Sequence, residues 1–401
     1  MTSVKVVKNA YLIDGTGKSP VKNARIVIED KWIKAVGTDV DVPGGAEVID
    51  VKGKTVMPGL IDLHIHPTSS IDPTDPKNLA LARHWSNELQ LISAVKNLED
   101  QLKTGVTTVR CMGVSCALRQ AVEKGIFSGP RILVAGPFER GVPSTGPVER
   151  RKWVRGKIEE NVDFIKILST GGVTHDGAEG MVGGVRLGPE ALKGTVEEHR
   201  AVVEEAHDVG LTVAVHAEGL EGIKRAVEAG VDTIEHGMWL DDETAEKMAE
   251  KGIFFVPTLT IQRMLAEKGP VLGYVPASWS ETCKIAWPEK VTSALKSARK
   301  AGVKIACGTD GGDTKKMLCA EELELLVSMA GMTEMEAIVT ATKTSAEAIK
   351  RGKFIGTIEK GKHADILVVD GDPLKDIKVL QNREKIRMVM KDGKVEVDRG
   401  L

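Results

Sequence analysis

The sequence predicts an α/β fold: a (β/α)8 TIM barrel with a small β-sandwich formed by both chain termini. Three observations carry this. Strand-like and helix-like segments alternate through the middle of the 401-residue chain, and short β-branched segments gather at its two ends. Polar side chains also recur at the C-terminal limits of the central strands, where such a barrel carries its active site.

At the N-terminus, Val4 to Leu12, Ala24 to Glu29, Trp32 to Val36 and Glu47 to Asp50 read as strands divided by Gly, Asn, Asp and Pro. Ala364 to Val369, Ile386 to Met390 and Lys394 to Val397 resume that style, with Asp392-Gly393 as a hairpin signal between the last two. Each end is too short to bury a core alone, so the two are expected to pack together. The expected division is 1–56 and 357–401 for the sandwich and 57–356 for the barrel.

The barrel strands are expected at Gly59–Leu63, Val106–Arg110, Ile132–Ala135, Phe164–Leu168, Thr212–Val215, Thr233–Ile234, Phe254–Val256 and Lys304–Cys307. Amphipathic stretches such as Ala191–Val209, Gly222–Ala229, Asp242–Lys251 and Ala320–Ala330 supply helices. Phe138 to Arg155, rich in Gly, Pro and Arg, reads as an irregular loop. Leu259 to Lys300 reads as a helical insertion over the barrel mouth, carrying Tyr274 and Trp279. A doubly wound open sheet is the competing arrangement, but it gives the polar residues no reason to sit at strand ends.

A net charge of −2 gives no electrostatic ground for a nucleic-acid or anionic-membrane partner. No apolar run is long enough to cross a bilayer, and the first residues lack the segments of a signal peptide. The five cysteines form no Cys-x-x-Cys pair, which fits a reduced, cytoplasmic protein. The sequence leaves a homo-oligomer open.

The chemistry begins at Val56-Met57-Pro58-Gly59-Leu60-Ile61-Asp62-Leu63-His64-Ile65-His66-Pro67. Residues two apart on a strand share a face, so His64 and His66 project together and can form half of a metal site. Two ordinary histidines at a strand terminus are the alternative at this point. Lys166 lies between isoleucines on a barrel strand, a costly position unless the site uses it. Strand five ends in His216, strand six in Glu235-His236-Gly237, and strand eight in Gly308-Thr309-Asp310. Six convergent His, Lys and Asp positions are hard to explain by packing.

These motifs, with Gly361-Lys362-His363-Ala364-Asp365-Ile366-Leu367, resemble the amidohydrolase superfamily over nearly the whole chain. The closest likeness is to its binuclear-metal subgroup of Xaa-Pro and other Xaa-amino-acid dipeptidases (prolidase-like) and imidazolonepropionase-related hydrolases. The resemblance implies two divalent ions; the donors suit zinc, with manganese, cobalt and iron as alternatives. His64, His66 and Asp310 would hold one ion, His216 and His236 the other, with a carboxylated Lys166 between them. It implies hydrolysis of a C–N amide bond in a dipeptide or small N-acyl amino acid. By the same resemblance the attacking water would have its pKa lowered by the two ions, and Asp310 would be the catalytic proton shuttle.

Two positions depart from the subgroup. Trp239 stands where dipeptidases commonly carry a tyrosine, and Arg110-Cys111 where relatives commonly read Arg-Asp. Enamidase-like opening of a cyclic amide, a mononuclear deaminase on the same barrel, and a non-catalytic relative therefore stand as alternatives. Substrate contacts are expected from His175 in the Gly-rich segment 171–184, from Trp239 and Tyr274, and from Arg140, which with Arg150 and Arg151 follows strand three and suits a carboxylate. Glu218, two residues after His216, is either an acid of the kind found in metal-dependent deaminases, a surface group or a support for the site, and Asp62 is a support. His84, His199, His207 and His363 are expected to be structural.

Overall fold

The computed structural model describes residues 3–68, 85–137, 145–172, 181–182, 185–186, 191–268, 286–312 and 318–401. His84, Arg140, His175, Tyr274 and Trp279 lie outside the described residues.

Five strands open the chain: β1 (Val4–Leu12), β2 (Val21–Glu29), β3 (Trp32–Gly37), β4 (Glu47–Asp50) and β5 (Thr55–Pro58). The barrel strands follow as β6 (Leu60–Ile65), β7 (Val106–Cys111), β8 (Arg131–Val134) and β9 (Phe164–Leu168). After a two-residue hairpin, β10 (Met181–Val182) and β11 (Val185–Arg186), come β12 (Thr212–Ala217), β13 (Thr233–His236) and β14 (Phe254–Val256). The chain closes with β15 (Ile366–Val369), β16 (Ile386–Lys391) and β17 (Lys394–Asp398).

The two chain ends share one sheet of order β17-β16-β15-β5-β1-β2-β3, with β4 pairing β1. Bulges interrupt the pairing of β1 with β2, of β2 with β3 and of β15 with β16. Such irregularities bend a sheet. One apolar cluster, including Val7, Ile26, Ile28, Val56, Ile366, Val368 and Met388, is drawn from both termini. Burying each such side chain contributes about 1.5–3 kcal/mol, so neither end keeps its core without the other. Asp392 and Gly393 both take positive φ, 48° and 73°, at the last hairpin, as a tight turn between twisted strands demands.

β5 was not expected as a separate strand. Its Met57 and Pro58 pair with Leu367 and Ile366 in the terminal sheet, and the chain passes to the barrel at Gly59. A Cβ there would lie 2.1 Å from Thr107 Oγ1. Across the same junction Arg131 Nη1 donates to Asp365 at 2.7 Å and its Nη2 to Asp392 at 2.7 Å.

In the barrel, β6-β7-β8 and β9-β12-β13-β14 are parallel ladders. Nearly all of their residues are buried, because helices cover the outside and side chains fill the inside. The eighth stave runs through Ile305, which bridges Phe255, and Cys307, whose carbonyl accepts from Leu63 N at 2.9 Å. It is too short for a regular strand: a helix ends at Gly302 on one side, and Asp310 turns at φ 58° on the other. Between β8 and β9, Asp163 N donates to the Val134 carbonyl at 2.8 Å and its Oδ2 accepts from Val134 N at 2.9 Å.

Two expectations need correction. Residues Pro147–Glu159 form a helix, where a loop was expected through Arg155. Pro147 sits at its first turn, where a missing N–H costs nothing, so the proline starts the helix. The helix expected over Ala191–Val209 spans Val196–His207, because Thr195 and Glu198 form a capping box that fixes its first turn. The helix Leu220–Ala229 stops at Gly230, φ 84°. Of the expected insertion, helices Leu259–Lys268 and Val291–Ala301 are described. No helix among the described residues is long and apolar enough to cross a membrane.

Candidate active site

His64 lies inside β6, one residue before its last, and its surroundings fix it from three sides. Asp62 accepts from the backbone N–H of His64 at 3.1 Å, and from Thr309 N and Oγ1 at 3.1 and 2.7 Å. One buried carboxylate thus ties the end of β6 to the turn that carries Asp310. Burial pushes Asp62 up to about 7, against the pull of these donors. The turn needs Gly308, since a Cβ there would meet Val256 Cγ1 at 2.5 Å and His64 Cβ at 2.9 Å. Asp310 N then donates to the His64 carbonyl at 2.7 Å. The Asp310 carboxylate comes within 3.3 Å of His64 Nε2 and 3.0 Å of His66 Nε2. Burial opposes its ionisation, but His64, His66 and Lys166 together hold its carboxyl below the ordinary value.

His236 closes β13, its ring centroid 4.9 Å from that of His64 and 4.5 Å from that of His216. Its Nδ1 pairs with Thr258 Oγ1 at 2.8 Å. His216 Nε2 faces the Gly171 carbonyl at 3.1 Å. That carbonyl belongs to the turn after β9. Ser169 steadies the turn by donating to the Gly222 carbonyl at 2.8 Å and by pairing with His199 Nε2 at 3.0 Å. Burial pushes His64 and His236 well below the ordinary imidazole value. Neutral rings keep the lone pairs that a cation needs.

Lys166 is the third of five residues in β9, deeper than the strand-end position expected. Its Nζ is buried with no hydrogen-bond partner among the described residues. Burial pushes its amine down to about 8, with Glu235 and Asp310 opposing and Arg110 assisting. His64, His236 and Asp310 each offer one ligand atom, all within 4.8 Å of one another, a group that can hold a metal ion.

The expected ligand candidates are therefore brought to one end of the barrel. Of the expected substrate contacts, Trp239 is described: it is half-buried against the barrel core, and its backbone N–H donates to the Glu218 carbonyl at 3.2 Å. Glu218 is buried, which removes the surface reading, and its Oε1 lies 3.8 Å from His216 Nε2. Arg151 pairs with Glu204 and Glu205 on a neighbouring helix rather than facing the site. His207 pairs with Asp232 at 2.7 Å and His363 with Asp392 at 2.8 Å, both away from the ligand cluster.

Sequence reasoning missed two groups that contact this cluster, Glu235 and Thr258, and a third, Glu322, that holds one of them in place. Glu235 places Oε2 2.7 Å from His64 Nδ1 and Oε1 2.6 Å from Arg110 Nη2. Thr258 supports His236. Glu322 accepts from Leu259 N and Thr260 N at 2.7 and 2.8 Å, holding the start of the helix beside Thr258. The available signal was an acid and an arginine, Glu235 and Arg110, on strands with no solvent-facing side.

Residues 55–395 match the model of the amidohydrolase family. Ochratoxinase from Aspergillus niger is 30% identical, covering 98% of this chain and 86% of its own length. Imidazolonepropionase from Geobacillus sp. (strain WCH70) is 25% identical over 95% of this chain and 91% of its own. The crystal structure of a prolidase complexed with N-methylphosphonate-L-proline superposes with a TM-score of 0.88 at 30% identity, covering 99% of this chain and 100% of that one. With these relatives and a His/His/Asp cluster at the barrel's mouth, the chain belongs to the amidohydrolase family and is a hydrolytic enzyme acting on C–N bonds.

Proposed function

We propose that this enzyme hydrolyses the amide bond of a dipeptide, Xaa-Pro or similar, or of a small N-acyl amino acid, at a centre of two divalent cations. His64, His66 and Asp310 would hold one ion and His216 and His236 the other, with Lys166, carboxylated by CO2, contributing to both. Zinc suits this donor set. The observation that carries the reading is Lys166. A buried amine without a hydrogen-bond partner among the described residues, near His64, His236, Asp310 and Glu235, is costly as it stands. Carboxylation converts it to an anion with two oxygens, and burial favours the neutral amine that the reaction with CO2 requires.

When bound, the ions supply Lewis acidity and a water acidified to near neutrality. The protein supplies the rest. Asp310, at hydrogen-bond distance from His66 and beside His64, would take a proton from the attacking water and return it to the leaving amine. Thr258 and Glu235 engage one nitrogen of His236 and of His64, so the other would face the cations, and the Gly171 carbonyl meets His216 Nε2. The dipeptide class is supported by the prolidase relative and its proline-containing ligand. Trp239 stands three residues past His236 and would border the substrate.

The compactness of His64, His236 and Asp310 alone also supports a second reading, a one-metal deaminase or cyclic-amide hydrolase with unmodified Lys166. A screen of Xaa-Pro and other dipeptides, N-acyl amino acids and small lactams, run beside metal counting, separates the two. The proposal expects cleavage of a dipeptide or N-acyl amino acid by protein holding two ions per chain. Cleavage of a lactam alone, by protein holding one ion, overturns it.

A further inference from the structure

We infer that Glu235 and Arg110 are positioning residues that fix the tautomer of His64, and thereby its capacity to bind a cation. This rests on the proposed metal centre. Glu235 is fully buried on β13, and its two oxygens have different partners. Oε1 receives Arg110 Nη2 at 2.6 Å and the Thr233 hydroxyl, while Oε2 stands 2.7 Å from His64 Nδ1. A carboxylate only accepts, so Nδ1 must carry the proton and Nε2 the lone pair. Nε2 is the nitrogen that faces Asp310, at 3.3 Å.

Arg110 fixes the direction of the device. It is fully buried, with Nε donating to the Leu63 carbonyl at 2.6 Å and Nη1 to Thr233 Oγ1 at 3.2 Å. Its guanidinium carbon lies 5.3 Å from the Phe164 ring centroid. It cannot turn away, and it has no acceptor to offer. Whatever side chain occupies position 235 must therefore present an acceptor towards Arg110. A pair serving only mutual neutralisation would not require the second oxygen to meet a histidine of the ligand cluster.

The consequence is specific. In Glu235→Gln, of nearly the same shape, Arg110 holds the amide oxygen and turns the amide N–H groups towards His64. Nδ1 must then accept, the proton moves to Nε2, and the lone pair faces away from the cation. In the double variant R110M/E235Q that constraint is gone. The Thr233 hydroxyl can accept from the amide, whose oxygen is free to face His64 again.

The test uses the full-length protein and Zn2+ as the probe. Imidazole 15N spectra of metal-free protein, assigned by difference from His64→Asn, report the His64 tautomer. Competition with a chelating dye reports Zn2+ affinity. We expect an Nδ1–H tautomer in the wild type and Nε2–H in E235Q. Zn2+ affinity should fall by about 10–100-fold in E235Q, with about tenfold recovered in R110M/E235Q. An E235Q protein that keeps Nδ1–H, or a folded double variant that binds no better than E235Q, overturns the inference. If circular dichroism shows the double variant unfolded, the E235Q tautomer decides alone. A wild type that binds no Zn2+ defeats the proposed metal centre, and the metal-free tautomers still decide the role of Glu235.

Discussion

Thr258 Oγ1 lies 2.8 Å from His236 Nδ1, and Thr258 holds a φ of 51° to put it there. A β-branched residue in the left-handed region costs about 1–3 kcal/mol and persists only where its surroundings enforce it. The enforcement is visible in Glu322, whose carboxylate takes the N–H groups of Leu259 and Thr260 immediately after Thr258. Burial pushes Glu322 up to about 8, while these donors favour its anion. In Thr258→Val, of the same shape but without the hydroxyl, His236 loses its orienting partner. The expected result is an approximately tenfold or greater loss of metal affinity with little change in thermal stability. Isothermal titration of the metal-free protein measures it, and unchanged affinity would show Thr258 to be a packing residue only.

Gly222 tests the support beneath His216. A Cβ at this helix position would lie 2.1 Å from Thr170 Cγ2 and 3.2 Å from the Ser169 carbonyl. Both belong to the turn whose Gly171 carbonyl meets His216. Gly222→Ala must displace that turn, at an expected cost of about 1–3 kcal/mol. The displacement should also lower kcat. Chemical denaturation and steady-state kinetics on the same preparation check both, and a variant with wild-type kcat would sever the turn from catalysis.

His199 gives a pH dependence with a fixed sign. Burial first, then Arg150 and Arg225, push its imidazole from 6.5 down to about 4, with Glu198 opposing. The unfolded chain therefore binds a proton at His199 before the folded one does. The stability at stake is fully present above about pH 6.5 and is lost as pH falls through about 4. It amounts to on the order of 3 kcal/mol. Urea denaturation at pH 7.5 and 5 should show a larger acid-induced loss in the wild type than in His199→Gln. Equal losses would contradict the assignment.

Much of this was legible in the sequence because it depends on local pattern. The first seven barrel strands announced themselves as short apolar runs, and His64, His216, His236 and Asp310 by standing at or near the ends of the expected strands. What stayed hidden depends on partners distant in the chain or on backbone conformation. Arg110 and Glu235 are 125 positions apart, and no spacing rule joins them. Thr258 looks like any threonine until its φ is known. β5 was absorbed into one apolar run because the sheet change at Gly59 is set by contact with Thr107. The segment Phe138 to Arg155 read as a loop from its Gly, Pro and Arg content, although a proline such as Pro147 can equally begin a helix.

Anomalous diffraction from crystals grown with Zn2+ and bicarbonate tests the central claim most directly. The account predicts two metal peaks about 3.5–4 Å apart within the ring of His64, His66, His216, His236 and Asp310, with density continuing beyond Lys166 Nζ into a bridging carbamate. A single peak, with Lys166 ending at its amine, would contradict it.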